Sequence, residues 1–153
     1  MGTRHRQAVI NSVGELKIQQ YGQWDGYPEG QGVDILNYLN NSNINKYQDE
    51  LNKIPIVTEE ELEEVDKDEN WKENYPYLSR DCGARIHQMI EDGLVKFVDH
   101  VDEHEAKLWC EGFYTIDFQK GVFISEYNGE IVEVKLNKLP TKEEYLKMFN
   151  RSE

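Results

Sequence analysis

The stretch YGQWDGYPEGQG, residues 21 to 32, concentrates side chains suited to holding a small molecule. Tyr21, Trp24 and Tyr27 offer flat faces on which a ring can stack. Gln23 and Gln31 each carry a donor and an acceptor, and Asp25 can take a ribose hydroxyl or orient a base. Gly22, Gly26, Gly30 and Gly32 let backbone approach a ligand, and a helix opening after Gly32 would offer free N–H groups to an anion such as phosphate. Thr3, Arg4 and His5 belong to the same candidate site if the first two strands pair as a hairpin, because the start of one then lies beside the end of the other. Arg4 is expected to grip a phosphate or carboxylate bidentately. Asp25 or His5 is the group to move a proton should the guest be turned over, although no catalytic residue, metal or cofactor is assigned. A purely structural reading of the segment is a Gly/Pro turn with Trp24 over the core and Asp25 paired to Arg4.

Other constellations carry less. HVDEH, residues 100 to 104, has the H-x-x-E-H spacing of two zinc-binding histidines beside a glutamate, but such a site needs a third ligand, and an exposed helix turn is expected instead. His87 in ARIHQMI reads as a surface or packed helix residue. Cys82 and Cys110 lie in no CxxC or Cys-His pattern and are expected to be reduced, packed thiols. Removal of Met1 would expose the amine of Gly2, which has no nucleophilic side chain, so N-terminal-nucleophile hydrolysis is disfavoured. The G-x-G of EGQG lacks the lysine and hydroxyl of a phosphate-binding Walker loop.

Thirty acidic against seventeen basic side chains give a formal net charge of −13, which disfavours direct nucleic-acid contact. Residues 58 to 73, TEEELEEVDKDENWKE, hold nine carboxylates and two lysines. They read as a solvated helix and loop. The alternative is mimicry of nucleic acid, with the acidic face docking on a basic host defence protein. No apolar run approaches the roughly 20 residues of a membrane span, and no charged-then-apolar leader opens the chain, so a cytoplasmic protein is expected.

The elements that must position these residues follow from period and turn chemistry. With 153 residues and 38% apolar content the chain is expected to fold as one domain, with 58 to 79 as an acidic helix and loop insertion. RHRQAVI and ELKIQQY alternate loosely about the turn signal NSVG, predicting an N-terminal hairpin. GVDILNYLN, NINKYQDELNKI ending at Pro55, a helix capped by Thr58 and Glu61, and CGARIHQMIEDG capped by Ser79 or Asp81 and ended by Gly93 make the middle helical. GFYTIDF, GVFISEY and EIVEVKL predict three antiparallel strands joined by QKG and Asn128-Gly129. Thr141 with Glu144 opens a last helix that docks Tyr145, Leu146 and Phe149 on the sheet. The expected class is α+β: an antiparallel sheet built from the N-terminal hairpin and three C-terminal strands, with middle and C-terminal helices packed on it.

The residues GTRH, then QQYGQWDGYPEGQG and a helix of the ILNYL type, resemble a family of small, mostly uncharacterised proteins found in phages, bacteria and fungi. The resemblance covers residues 2 to 39 and fades through CGARIHQMI and YTIDF. It implies a phage or mobile-element setting and hence a counter-defence role, and it assigns no residue a function. The expectation that combines both lines is a binder of a nucleotide-like molecule, sequestering a host immune signal, with a homodimer favoured by the symmetry of soluble oligomers. The alternative is a hydrolase or other enzyme acting on a nucleotide-like substrate in the same pocket.

Overall fold

Two antiparallel hairpin systems from opposite ends of the chain build one sheet; most of the helices between them pack on one of its faces, while the helix at Glu103–Trp109 reaches Arg6 from the other. The computed structural model describes residues 2–150; Met1, whose removal would free the Gly2 amine, lies outside them. Strand β1 (His5–Ile10) pairs with β2 (Leu16–Gly22), His5 lying opposite Gly22. Their turn is fixed by Asn11, whose Oδ1 accepts from the N–H groups of Val13 and Glu15 at 3.2 and 2.8 Å. At the other end β3 (Gly112–Asp117), β4 (Val122–Tyr127) and β5 (Glu130–Lys135) form a meander. Asn128 and Gly129, at φ 51° and 81°, make the tight β4–β5 turn that the pair predicts.

The strand order is β2-β1-β3-β4-β5, and the β1–β3 junction is parallel, so the sheet is mixed rather than antiparallel throughout. Alternation of side chains is the same in either direction, so residue pattern cannot reveal this; the long helical crossover between the two ends makes the parallel neighbour reachable.

The crossover runs through α1 (Val33–Asn41), α2 (Ile44–Leu51), α3 (Glu59–Lys67), a short α4 (Trp71–Asn74), α5 (Arg85–Glu91) and α6 (Glu103–Trp109). Thr58 with Glu61 forms the expected capping box on α3. Of that acidic helix only Val65 is buried, which makes it a largely solvated element. The last helix, α7 (Lys142–Met148), carries the second capping box, Thr141 with Glu144, and buries Tyr145 and Leu146, with Phe149 buried just beyond its end. Tyr145 donates to Ser125 Oγ at 2.8 Å, tying α7 to β4. The core joins Val9, Ile18, Leu36, Tyr47, Leu51, Ile86, Ile90, Ile116 and Phe123 between sheet and helices. Cys82 and Cys110 are free and buried, and burial pushes both thiols up to about 11. No helix among the described residues is long and apolar enough to cross a membrane.

Two local expectations are corrected. His100 precedes α6 and its Nε2 donates to the carbonyl of Lys17 at 2.9 Å, so His100 and His104 do not share a helical turn; Asp102 caps α6 instead. The start of α5 is not capped by Ser79 or Asp81, because Ser79 Oγ accepts from Asp81 N–H within the turn, while the Ala84 N–H at the head of α5 is met by distant Gln31.

Candidate functional site

Residues 28 to 32 do not form a loop before the helix. Pro28–Gly32 make one wide π-turn that runs straight into α1. Gly30 N–H meets the carbonyl of Tyr27 at 3.0 Å, Gln31 N–H that of Asp25 at 2.8 Å, and Val33 N–H, the first after Gly32, those of Pro28 and Gly30. The free N–H cradle expected for phosphate after Gly32 is therefore absent from this turn.

A hollow of about 490 Å³ opens beside this turn. Helical spacing brings Asp34, Asn37 and Tyr38 from α1 to one wall and Arg85 and Gln88 from α5 to the other, while Gln31, Cys82 and Ala84 form the floor. Trp24, Asp25 and Asp81 make the lip. Tyr38 donates to Glu91 at 3.0 Å and so bridges α1 to α5 behind the hollow.

Trp24 and Asp25 are held from several sides. Trp24 Nε1–H donates to Asp81 at 2.7 Å, and that hydrogen bond keeps the Asp81 carboxyl below the usual carboxylate range. Gly2 lies so close under the indole that any Cβ there would collide with the ring. On either side of the pair, Gln23 N–H meets the carbonyl of Arg80 and Gly26 N–H that of Thr3, at 3.0 and 2.9 Å. Asp25 sits at φ 56°, the left-handed region that strains a residue with a Cβ, and its Oδ1 accepts from the Tyr27 hydroxyl at 3.0 Å. Burial first, and Asp25 second, push the Asp34 carboxyl up.

Beneath the lip runs a buried chain of side-chain hydrogen bonds whose direction is set by two backbone groups. Gln31 Oε1 accepts from the Ala84 N–H at 2.8 Å and Gln31 Nε2 donates to the Trp24 carbonyl at 3.1 Å, which orients that amide. Gln7 Nε2 must then donate to Gln31 Oε1, at 3.1 Å, leaving Gln7 Oε1 as the acceptor for His87 Nε2–H at 2.7 Å. His87 Nδ1 is left to accept the Tyr47 hydroxyl at 2.9 Å. The imidazole is thus fixed as the neutral Nε2–H form, and burial pushes its pKa down to about 3. The reading of His87 as a packed helix residue stands; its link through Gln7 to the candidate site is a feature that residue spacing does not announce.

The remaining expected site residues lie elsewhere. Neither Arg4, which precedes β1, nor His5, at its start, lines this hollow. His5 turns to the helix-covered face, its ring over Gly22, where any Cβ would collide with it, and burial pushes its pKa down to about 4. The Arg4 guanidinium stacks over Trp109 at 5.7 Å. Tyr21 faces a different hollow, and Thr3, Gln23 and Tyr27 support the lip through backbone and hydroxyl contacts without lining the cavity.

Asp25→Gly separates a site residue from a structural one. Glycine relieves the positive φ, worth about 1 kcal/mol, against loss of one exposed hydrogen bond worth about 0.5 kcal/mol. Thermal denaturation should find the variant as stable as the parent or more so; a marked loss of stability would make Asp25 a purely structural residue. Comparison with family models, curated proteins and solved structures returns no match to this chain.

Proposed function

We propose that the protein binds a small nucleoside-like molecule in the hollow between α1, α5 and the Trp24 lip. The observation that carries this reading is the immobilised Trp24–Asp25 pair at the mouth of a cavity of about 490 Å³. An indole and the Tyr38 ring offer stacking surface, Asn37 and Gln88 offer amides that read a base edge, and carboxylates suit ribose hydroxyls.

Charge narrows the ligand class. Asp25, Asp34 and Asp81 face one cation, Arg85, whose Nε and Nη2 already donate to the carbonyls of Cys82 and Asp81 at 3.1 and 2.7 Å. A polyphosphate would meet net negative potential there. The preferred guest is a nucleoside or a monophosphorylated relative rather than a triphosphate. Held without turnover, such a molecule is sequestered, which in a phage-infected cell is a counter-defence against a nucleotide-like immune signal.

The test is thermal denaturation across nucleosides, monophosphates, cyclic nucleotides and triphosphates, followed by mass spectrometry of what denaturation releases. A ligand at a hundred times its Kd contributes about 2.7 kcal/mol, a rise of about 5–10 °C in a chain of this size. The rise should be largest for nucleosides, smallest for triphosphates and absent in Trp24→Ala. An unchanged melting temperature across the panel would sink the proposal, and recovery of a cleaved ligand would turn the binder into an enzyme.

A further inference from the structure

Strand β2 lies at the edge of the sheet, so every second residue directs its backbone N–H and C=O away from β1. The outward set includes Lys17, Gln19 and Gln23, as their contacts show. The Lys17 carbonyl accepts from His100 Nε2 at 2.9 Å, the Gln19 carbonyl from Val101 N–H at 2.9 Å, and Gln23 N–H donates to the Arg80 carbonyl at 3.0 Å. These segments close the edge at both ends. Tyr21 falls between them with the same parity, and its outward N–H and C=O have no partner among the described residues.

In front of Tyr21 lies a second hollow, of about 250 Å³, several times the roughly 30 Å³ share of one water. Tyr77, Leu78 and Val98 give it apolar walls. Gln20, also in its lining, uses Nε2 on the Tyr77 carbonyl at 2.8 Å, which leaves Oε1 buried with no partner among the described residues. Arg80 stands in the lining and forms no ion pair among the described residues, and Asp99 is the carboxylate there.

We propose that this gap in the β2 edge is a binding site for a ligand carrying an amide bond next to a carboxylate, as in the C-terminus of a peptide or an N-acylated amino acid. The terminal residue of such a ligand pairs with Tyr21 as one strand residue with another: Tyr21 C=O accepts its amide N–H and Tyr21 N–H donates to one oxygen of its carboxylate. Arg80 takes the carboxylate, the Gln20 oxygen accepts a further N–H, and an apolar side chain fills the space against Tyr77 and Leu78. The site lies apart from the Trp24 hollow and does not depend on what that hollow binds.

The test is titration of the ¹⁵N-labelled chain with N-acetyl-leucine, its C-terminal amide, and a short leucine-ending peptide with free or amidated terminus. The free acids should shift the backbone amides of Tyr21 and Val101, and amidation or Arg80→Gln should weaken binding about tenfold, the scale of one charge-assisted hydrogen bond. Tyr21→Pro removes the outward N–H at an edge position where proline is tolerated, and should abolish the shifts that Tyr21→Ala retains. Response to N-acetyl-leucine alone assigns a free metabolite, and response to the peptide alone assigns a chain terminus. No shift at millimolar concentration, or equal binding by Tyr21→Pro and Tyr21→Ala, would overturn the proposal.

Discussion

Replacing His87 with leucine should lower the free energy of unfolding by about 3–5 kcal/mol, and Gln7→Leu by about 2–4 kcal/mol, yet the double replacement should cost clearly less than their sum. Each single change leaves buried polar groups stranded. Without His87, the Tyr47 hydroxyl loses its acceptor and Gln7 Oε1 its donor, both away from water. Without Gln7, His87 Nε2–H has nothing to donate to, whereas Gln31 keeps its backbone partners Ala84 and Trp24. Removing both ends of the 2.7 Å His87–Gln7 contact eliminates two of those penalties outright and leaves only the Tyr47 hydroxyl stranded. A coupling of about 1–3 kcal/mol from urea unfolding of the four proteins is the expected result. Additivity within about 0.5 kcal/mol would mean that the chain is a set of independent contacts with no shared polarity.

That chain also marks where residue pattern stops being informative. Turn and cap chemistry is local, so Asn128-Gly129, Thr58 with Glu61, and Thr141 with Glu144 could be read directly, and each forms the element it predicts. The two-ended sheet was legible because its strands alternate and its turns are tight. The direction of the β1–β3 junction was not, because both directions bury the same side chains. In the candidate site, the aromatic and glycine content of residues 21 to 32 singled out Trp24, Asp25 and Gln31, which line the hollow. The hairpin register that placed Arg4 near this segment is the observed one, yet its guanidinium lies over Trp109 and does not line the hollow. Gln31 was expected to read a ligand, yet its amide is taken up by Gln7, Ala84 and the Trp24 carbonyl. Two of those partners, Gln7 and Ala84, come from 24 and 53 positions away, a range over which no motif operates. The walls supplied by Asp34, Asn37, Arg85 and Gln88 became visible only once α1 and α5 were packed side by side; their one signal in the residues is polar spacing on the faces opposite Leu36 and Ile86.

Acidification from pH 7 to pH 5 should destabilise the fold by about 4 kcal/mol through His5 and His87 alone. Burial holds His5 down to about 4 and His87 down to about 3, from an ordinary value of 6.5, so both stay neutral in the folded protein across this interval and take up protons on unfolding. The unfolded state binds more protons, hence stability rises with pH: the contribution is fully present above about 6.5 and is lost as pH falls towards the folded values. Each histidine adds a slope approaching 1.4 kcal/mol per pH unit. A net charge of −13 works in the opposite direction, because protonating carboxylates relieves self-repulsion, and Asp34, whose carboxyl is pushed up, also gains on acidification. The two effects are separable by salt, which screens the diffuse repulsion over about 10 Å at 0.1 M but leaves the cost of charging a buried ring intact. At high salt the urea midpoint should therefore fall steeply between pH 7 and pH 5. His5→Phe keeps a ring over Gly22 without a titrating nitrogen, so it should remove about half of that slope, whatever uniform offset its shape introduces. A midpoint flat with pH in salt would mean that water reaches these rings and that the floor beneath the first two strands is wetter than their packing implies.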